Sequence, residues 1–231
     1  MFEISPAEWT AILLSLKVAI IATLVATPFG IALAWLLARR DFWGKSVLDA
    51  LVHLPLVLPP VVTGYLLLLT FGKRGLVGGF LAEHLGIVFA FRWTGAALAC
   101  GVMSFPLLVR PIRLSIEAID RRLEQAAETL GAAPWKVFAT VTLPLALPGV
   151  LAGMVLGFAK AIGEFGATIT FVSNIPGETQ TISSAIYSLI QTPDGDAAAA
   201  RLVAISVALA IGALIAAEWF ARRATQRLHG N

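Results

Sequence analysis

The chain has 231 residues, 58% hydrophobic and 13% charged, where a soluble domain has roughly 45–50% apolar and about 25% charged residues. That excess excludes a soluble enzyme, a disordered chain and a disulfide-stapled secreted module, and leaves a single-domain integral membrane protein. The net charge of +3 does not point to nucleic acid, because in a membrane protein the positions of Lys and Arg matter more than their sum.

The chain opens with the acids Glu3 and Glu8 and no base before Lys17, so it lacks the basic start of a secretory leader and its first apolar stretch reads as a retained helix. Hydropathy predicts spans of about 20 residues or more at 11–38, 47–71, 93–109, 145–172 and 202–220. The first span carries Pro28 and Gly30, the second Pro55, Pro59 and Pro60, the third Pro106, and the fourth begins around Pro144 and Pro148. Each proline removes a helix hydrogen bond, and in hydrocarbon the freed carbonyl must be met by a neighbouring helix or by water. The segment 53–64, with its three prolines, cannot run as a regular helix throughout. The stretch 72–92 has apolar pieces too short to span, which keeps the count at five; a further helix there would make it six. The lone Cys100 sits in an apolar run as a small core filler.

Between the third and fourth spans, Leu123, Ala127 and Leu130 recur on one helical face beside Ala126, and Gly131 is placed to end that helix. A second short helix is predicted from Pro134, with Trp135, Phe138 and Ala139 as its apolar face. Leu143-Pro144 and Pro148-Gly149 then mark re-entry into the membrane. The two helices form a compact knob whose small alanines suit a groove in a partner protein.

Loop charge gives the orientation. Arg39, Arg40, Lys45, Arg110, Arg113, Arg121, Arg122, Lys136, Arg222, Arg223 and Arg227 fall on one side, and only Lys73, Arg74, Arg92 and Arg201 on the other. The positive-inside rule puts the first set in the cytoplasm, the N-terminus outside and the C-terminus inside. The segment 174–200 has no base, and Ile182, Ile186, Leu189 and Ile190 share one helical face. It reads as an extracytoplasmic loop with a short interfacial helix able to meet an external partner.

The knob carries a family resemblance. Gln125, Ala126, Ala127, Gly131, Val141, Leu143 and Pro144 fall on the spacing of the E-A-A loop of binding-protein-dependent ABC importer permeases: E-A-A, three residues, Gly, nine residues, then I-x-L-P. Gln125 stands where the family usually has Glu, with Glu124 one place earlier, and Val141 replaces Ile. The segments 53–65 and 163–182 narrow the likeness to the molybdate-importer permeases, over nearly the whole chain. Sulfate and thiosulfate permeases share Gly163-Glu164-Phe165-Gly166, and the longer run through Asn174-Ile175-Pro176-Gly177-Glu178-Thr179 favours molybdate, with tungstate and sulfate as the alternatives.

The resemblance implies an all-α polytopic bundle of the type I importer kind, one transmembrane domain over 1–231 with a coupling loop at about 117–144, in the bacterial inner membrane. It implies a homodimer carrying two cytoplasmic ATPase subunits and fed by a periplasmic molybdate-binding protein. ATP and Mg2+ are then used by the partner ATPase, with no cofactor on this chain. The coupling residues it singles out are Glu124, Gln125, Ala126, Ala127, Leu130, Gly131, Leu143 and Pro144.

A dianion crossing hydrocarbon needs water, small side chains, backbone N–H groups or positive helix ends. Candidate pathway or gating residues are Pro59, Pro60, Lys160, Glu164, Thr168, Thr170, Ser173 and Asn174. Lys160 and Glu164, spaced i, i+4, are expected to pair and steady the fourth span rather than bind anion, because Glu164 would repel one. Thr168, Thr170, Ser173 and Asn174 are expected to offer neutral donors at its outer end. The Gly149, Gly153, Gly157 run reads as helix packing, and Lys17 as either a functional or a snorkelling charge. No nucleotide-binding Gly-x-x-x-x-Gly-Lys-Ser/Thr or His-Glu-x-x-His sequence occurs, so neither ATP hydrolysis nor a catalytic or metal site is expected in this chain. A passive channel has no use for a docking knob.

Overall fold

The structure, a computed structural model, describes residues 4–229, with side chains to Ala216 and at Trp219. Glu3, which enters the reading of the first helix as retained, and the side chains of Arg222, Arg223 and Arg227, which enter the orientation argument, lie outside the described residues. The described chain is helical, with no strand.

Helix α1 (Pro6–Arg39) is capped by Ser5, whose hydroxyl accepts from the Glu8 N–H while Glu8 accepts from the Ser5 N–H. Its 34 residues rise about 51 Å at 1.5 Å each, well beyond the roughly 30 Å hydrocarbon core, so α1 projects from the membrane. The expected second span is broken. Helix α2 (Lys45–Val57) ends before Pro59, and α3 (Pro60–Phe71) leaves at 116° to it. Proline at position 60 has no N–H to continue the α2 ladder, but its fixed φ suits the first turn of a new helix. The 72–92 segment holds α4 (Leu76–Leu85), ten residues and about 15 Å long, too short to cross.

Helix α5 (Trp93–Glu117) runs eight residues past the predicted end of the third span, through Pro106 and Pro111, so Arg110 and Arg113 stand on its last turns and not in a loop. After α6 (Arg121–Thr129) comes the largest departure from the sequence reading. The helix that starts at Pro134 does not stop. α7 (Pro134–Val137) passes through a π turn over Phe138–Thr142 into α8 (Leu143–Ile162). In that turn the Leu143 N–H reaches the Phe138 carbonyl, and this wider i→i+5 turn lets the helix absorb Pro144, which has no N–H to give. The fourth span is broken after Ile162 and resumes as α9 (Gly166–Val172). Helices α10 (Ile182–Leu189) and α11 (Asp196–His229) complete the chain. Among the described residues four helices are long and apolar enough to cross a membrane, or five if the bent α2–α3 pair is one span.

Helix α5 is the axis of the bundle. Its Ala96, Ala99, Leu108, Val109 and Ile112 are buried between α1 and α8. The glycines of α8 let it lie on α5: a Cβ at Gly153 would be 2.5 Å from the Leu108 carbonyl oxygen and one at Gly157 3.5 Å from Leu108 Cβ. Cys100 is buried in the same seam, its Sγ 3.5 Å from the Ala161 carbonyl.

Candidate functional site

Two regions hold the residues singled out from the sequence. The first is the knob at the end of the bundle where α1 finishes. Asp120 caps α6 by accepting from the Arg122 N–H. At the other end Gly131, at φ +85°, donates to the Glu128 carbonyl while the Ala132 N–H reaches back to Ala127. This pair of bonds closes the last turn and needs a left-handed residue, which glycine adopts without a Cβ penalty.

The knob sits on the bundle through polar groups. Arg39, at the end of α1, donates through Nε to Glu124 at 3.0–3.2 Å and through Nη2 to the Ile119 carbonyl at 3.3 Å. Thr142 donates to the same Glu124 carboxylate. The Glu124 and Arg39 side chains are only 14% and 9% exposed. Trp35 of α1 meets the Phe138 ring edge-on at 5.9 Å. Under this clasp lies a cleft of about 260 Å³ between α1 and the knob. Leu123, Leu130 and Trp135, by contrast, are exposed, as are Gln125 and Ala126. The face expected to be apolar is therefore outward, and the inward anchor is a carboxylate. Leu143 is half-buried and Pro144 exposed at the start of α8.

The second region is where the two broken spans meet. A Cβ at Gly166 would lie 2.7 Å from Pro60 Cβ, and one at Gly64 2.6 Å from the Ala167 carbonyl oxygen. Helices α3 and α9 thus start side by side, with their positive ends together. Pro59 and Pro60 form one break and Gly163, Glu164 and Phe165 the other. Glu164 is buried; it takes the Lys160 ammonium at 2.7 Å on Oε2 and the Ala167 N–H at 3.0 Å on Oε1. It stitches the end of α8 to the start of α9. Lys160 remains about 30% exposed, and Thr63 of α3 is buried with no hydrogen-bond partner for its hydroxyl.

Most of the donors expected at the outer end of the fourth span are already engaged. Thr168 donates to the Phe165 carbonyl and Thr170 to Gly166, both at 2.8 Å, and Asn174 donates to Ser188 at 2.7 Å. Of that group Ser173 is the exposed one, at φ +65°.

Residues 26–226 match the family described as binding-protein-dependent transport system inner membrane component. The chain belongs to that family. It is 62% identical over 220 residues to the molybdenum transport system permease protein ModB of Escherichia coli strain K12, covering 95% of this chain and 96% of that one. The molybdenum permease ModB of Haemophilus influenzae is 56% identical, covering 96% of both. Among solved structures, a bacterial alginate ABC transporter in complex with an alginate pentasaccharide-bound periplasmic protein superposes with a TM-score of 0.71 at 21% identity, over 97% of this chain and 80% of that one. The fold is accordingly that of an ABC importer permease, a multi-pass inner-membrane subunit.

Sequence reasoning on this permease missed the anchors. Arg39 and Thr142 reach Glu124 from 85 and 18 residues away, and no local pattern announces that pairing. Asp49 of α2 joins Arg113 of α5 at 2.8 Å, with Glu117 on the same guanidinium at 2.8 Å. The Arg113–Glu117 half of that clasp is visible as an i, i+4 pair; its Asp49 half is not.

Proposed function

We propose that this chain is the membrane-spanning permease subunit of an ATP-driven molybdate importer, working as a homodimer on two cytoplasmic ATPase subunits and fed by a periplasmic molybdate-binding protein. The supporting observation is the 62% identity to a molybdenum permease across 95% of the chain; a sulfate or tungstate importer is the alternative anion assignment. The chain itself hydrolyses nothing and binds no cofactor, ATP and Mg2+ being used by the ATPase. Its N-terminus is extracytoplasmic and its C-terminus cytoplasmic. The transmembrane domain covers residues 1–231, with the coupling segment at about 117–144.

The knob geometry suits force transfer. Glu124, Arg39 and Thr142 fasten α6 to α1 and to the root of α8, so a push on α6 reaches two long helices. Gln125, Ala126, Ala127 and Leu130 present the outward surface to the ATPase, Gly131 keeps that surface compact, and Leu143 and Pro144 start the helix that carries the motion inward. ATP binding closes the ATPase dimer, the knob follows, and the helices rock the pathway between its two openings.

The pathway runs beside the junction of the broken spans. Pro59 and Pro60 set the direction of α3, the Lys160–Glu164 pair holds α8 to α9, and the paired positive helix ends with the Thr63 hydroxyl offer an oxyanion a polar passage without a tight cage. Ser173 lies at the outer mouth, while Thr168, Thr170 and Asn174 shape the wall.

The deciding experiment is uptake of labelled molybdate by vesicles carrying this subunit, its ATPase and its binding protein, with and without ATP, with sulfate and tungstate as competitors and Gly131→Pro as control. ATP-dependent uptake that resists excess sulfate and is lost in the control is the expected result. Uptake without ATP would indicate a channel or secondary carrier, and effective competition by sulfate would move the assignment to sulfate.

A further inference from the structure

A groove of about 690 Å³ lies between α1, α2 and α5, and its walls are almost wholly apolar. On α1 it is lined by Ile21, Val25 and Phe29, and on α5 by Trp93, Gly101 and Phe105. These repeat at multiples of four, so each set forms a stripe along its helix. From Trp93 to Phe105 the rise is about 18 Å, close to the roughly 15 Å of one leaflet, half of the hydrocarbon core. Val52 of α2, packed in the cluster with Ala26, lines the groove from its third side.

The rim at the Trp93 end carries positive charge. Lys17 stands one turn before Ile21 on the same face of α1, exposed, with its ammonium 3.7 Å above the centroid of the Trp93 ring. Arg92, the residue before Trp93, is exposed at the start of α5. Neither cation has an acidic group within ion-pair distance among the described residues. A tryptophan flanked by unneutralised cations is the pattern of the headgroup level.

We propose that this groove seats an acyl chain of an anionic phospholipid whose phosphate rests on Lys17 and Arg92. The tail fills an apolar slot one leaflet deep, and the headgroup supplies the anion that the two cations lack. The site is independent of the transported anion and of which end of α1 faces outward.

The test uses the permease with its ATPase subunits in nanodiscs of phosphatidylglycerol and phosphatidylethanolamine, with retained lipid read by native mass spectrometry. Wild type should retain phosphatidylglycerol preferentially. Each cation near a membrane surface is worth about a fivefold preference, so Lys17→Gln with Arg92→Gln should lower it on the order of thirtyfold. Gly101→Leu, which places a side chain in the groove, should reduce retention of both lipids. Equal retention of the two lipids by wild type, or an unchanged preference in the double variant, overturns the proposal. So does efficient disulfide cross-linking of Val25→Cys between two copies in native membranes, which would show a second copy filling the groove.

Discussion

At the scale of single residues, Glu124 shows how position in the fold changes the meaning of a side chain. In the sequence it stands one place before Gln125, which holds the Glu position of the E-A-A spacing, and the resemblance groups it with the coupling residues. In the structure both carboxylate oxygens face inward, to Arg39 and Thr142. Arg39→Gln and Glu124→Gln should therefore be strongly non-additive: each alone lowers stability by about 1–3 kcal/mol, and the double variant costs little more than one, measured as a thermal-unfolding cycle of the purified complex. Additive losses would show that the two groups do not work as a pair. Glu164 makes a comparable case. Glutamine there can still accept from Ala167, but it leaves Lys160 without its counter-charge, so Glu164→Gln should lower molybdate uptake several-fold while the ratio of molybdate to sulfate transport stays at the wild-type value. A changed ratio with full uptake would put Glu164 in contact with the anion.

At the scale of elements, helix contacts in this bundle depend on missing side chains as much as on present ones. In a membrane no hydrophobic force separates helices from lipid, so close packing must hold them together. Gly153 sits against backbone of α5, and a valine there has to push α8 away, an overpacking of about 1–3 kcal/mol. Gly153→Val should thus lower the temperature at which the detergent-solubilised subunit loses its size-exclusion peak. Gly212→Val on α11, where a new Cβ meets nothing within 4 Å, should leave that temperature unchanged. Breaks follow similar logic. Pro59 and Pro60 end one helix and begin another, but Pro144 is absorbed by a π turn, because a wider turn before it accommodates the missing donor.

At the scale of the whole molecule, the two ends of the bundle carry different clasps. At one end Arg39 and Glu124 tie α1 to the knob. At the other, Glu8 pairs with Arg201 at 3.0 Å across 193 residues, joining the start of α1 to α11, while Ile182 of α10 is buried beside Ala11 and Leu202. Helix α10, expected as an interfacial element, is partly built into that end. With the basic residues gathered at the knob end, an impermeant maleimide applied to intact cells should label Asp194→Cys and spare Glu128→Cys; Cys100 is buried and silent. The opposite pattern would reverse the orientation.

What was legible in the sequence came from periodicity and composition. Hydropathy fixes that the chain crosses a membrane several times, the prolines at 55, 59 and 60 announce a break, and the spacing from Gln125 to Pro144 carries the likeness to the permease family that the chain belongs to. These properties are local, set by the chemistry of a residue and its near neighbours. The inward anchor of α6, the Asp49–Arg113 and Glu8–Arg201 clasps, the seam of α8 on α5 and the meeting of two breaks at Pro60 and Gly166 were decided only by tertiary structure. Each pairs residues far apart in the chain, and which distant carboxylate meets which cation depends on how the helices pack, a choice no single helix contains.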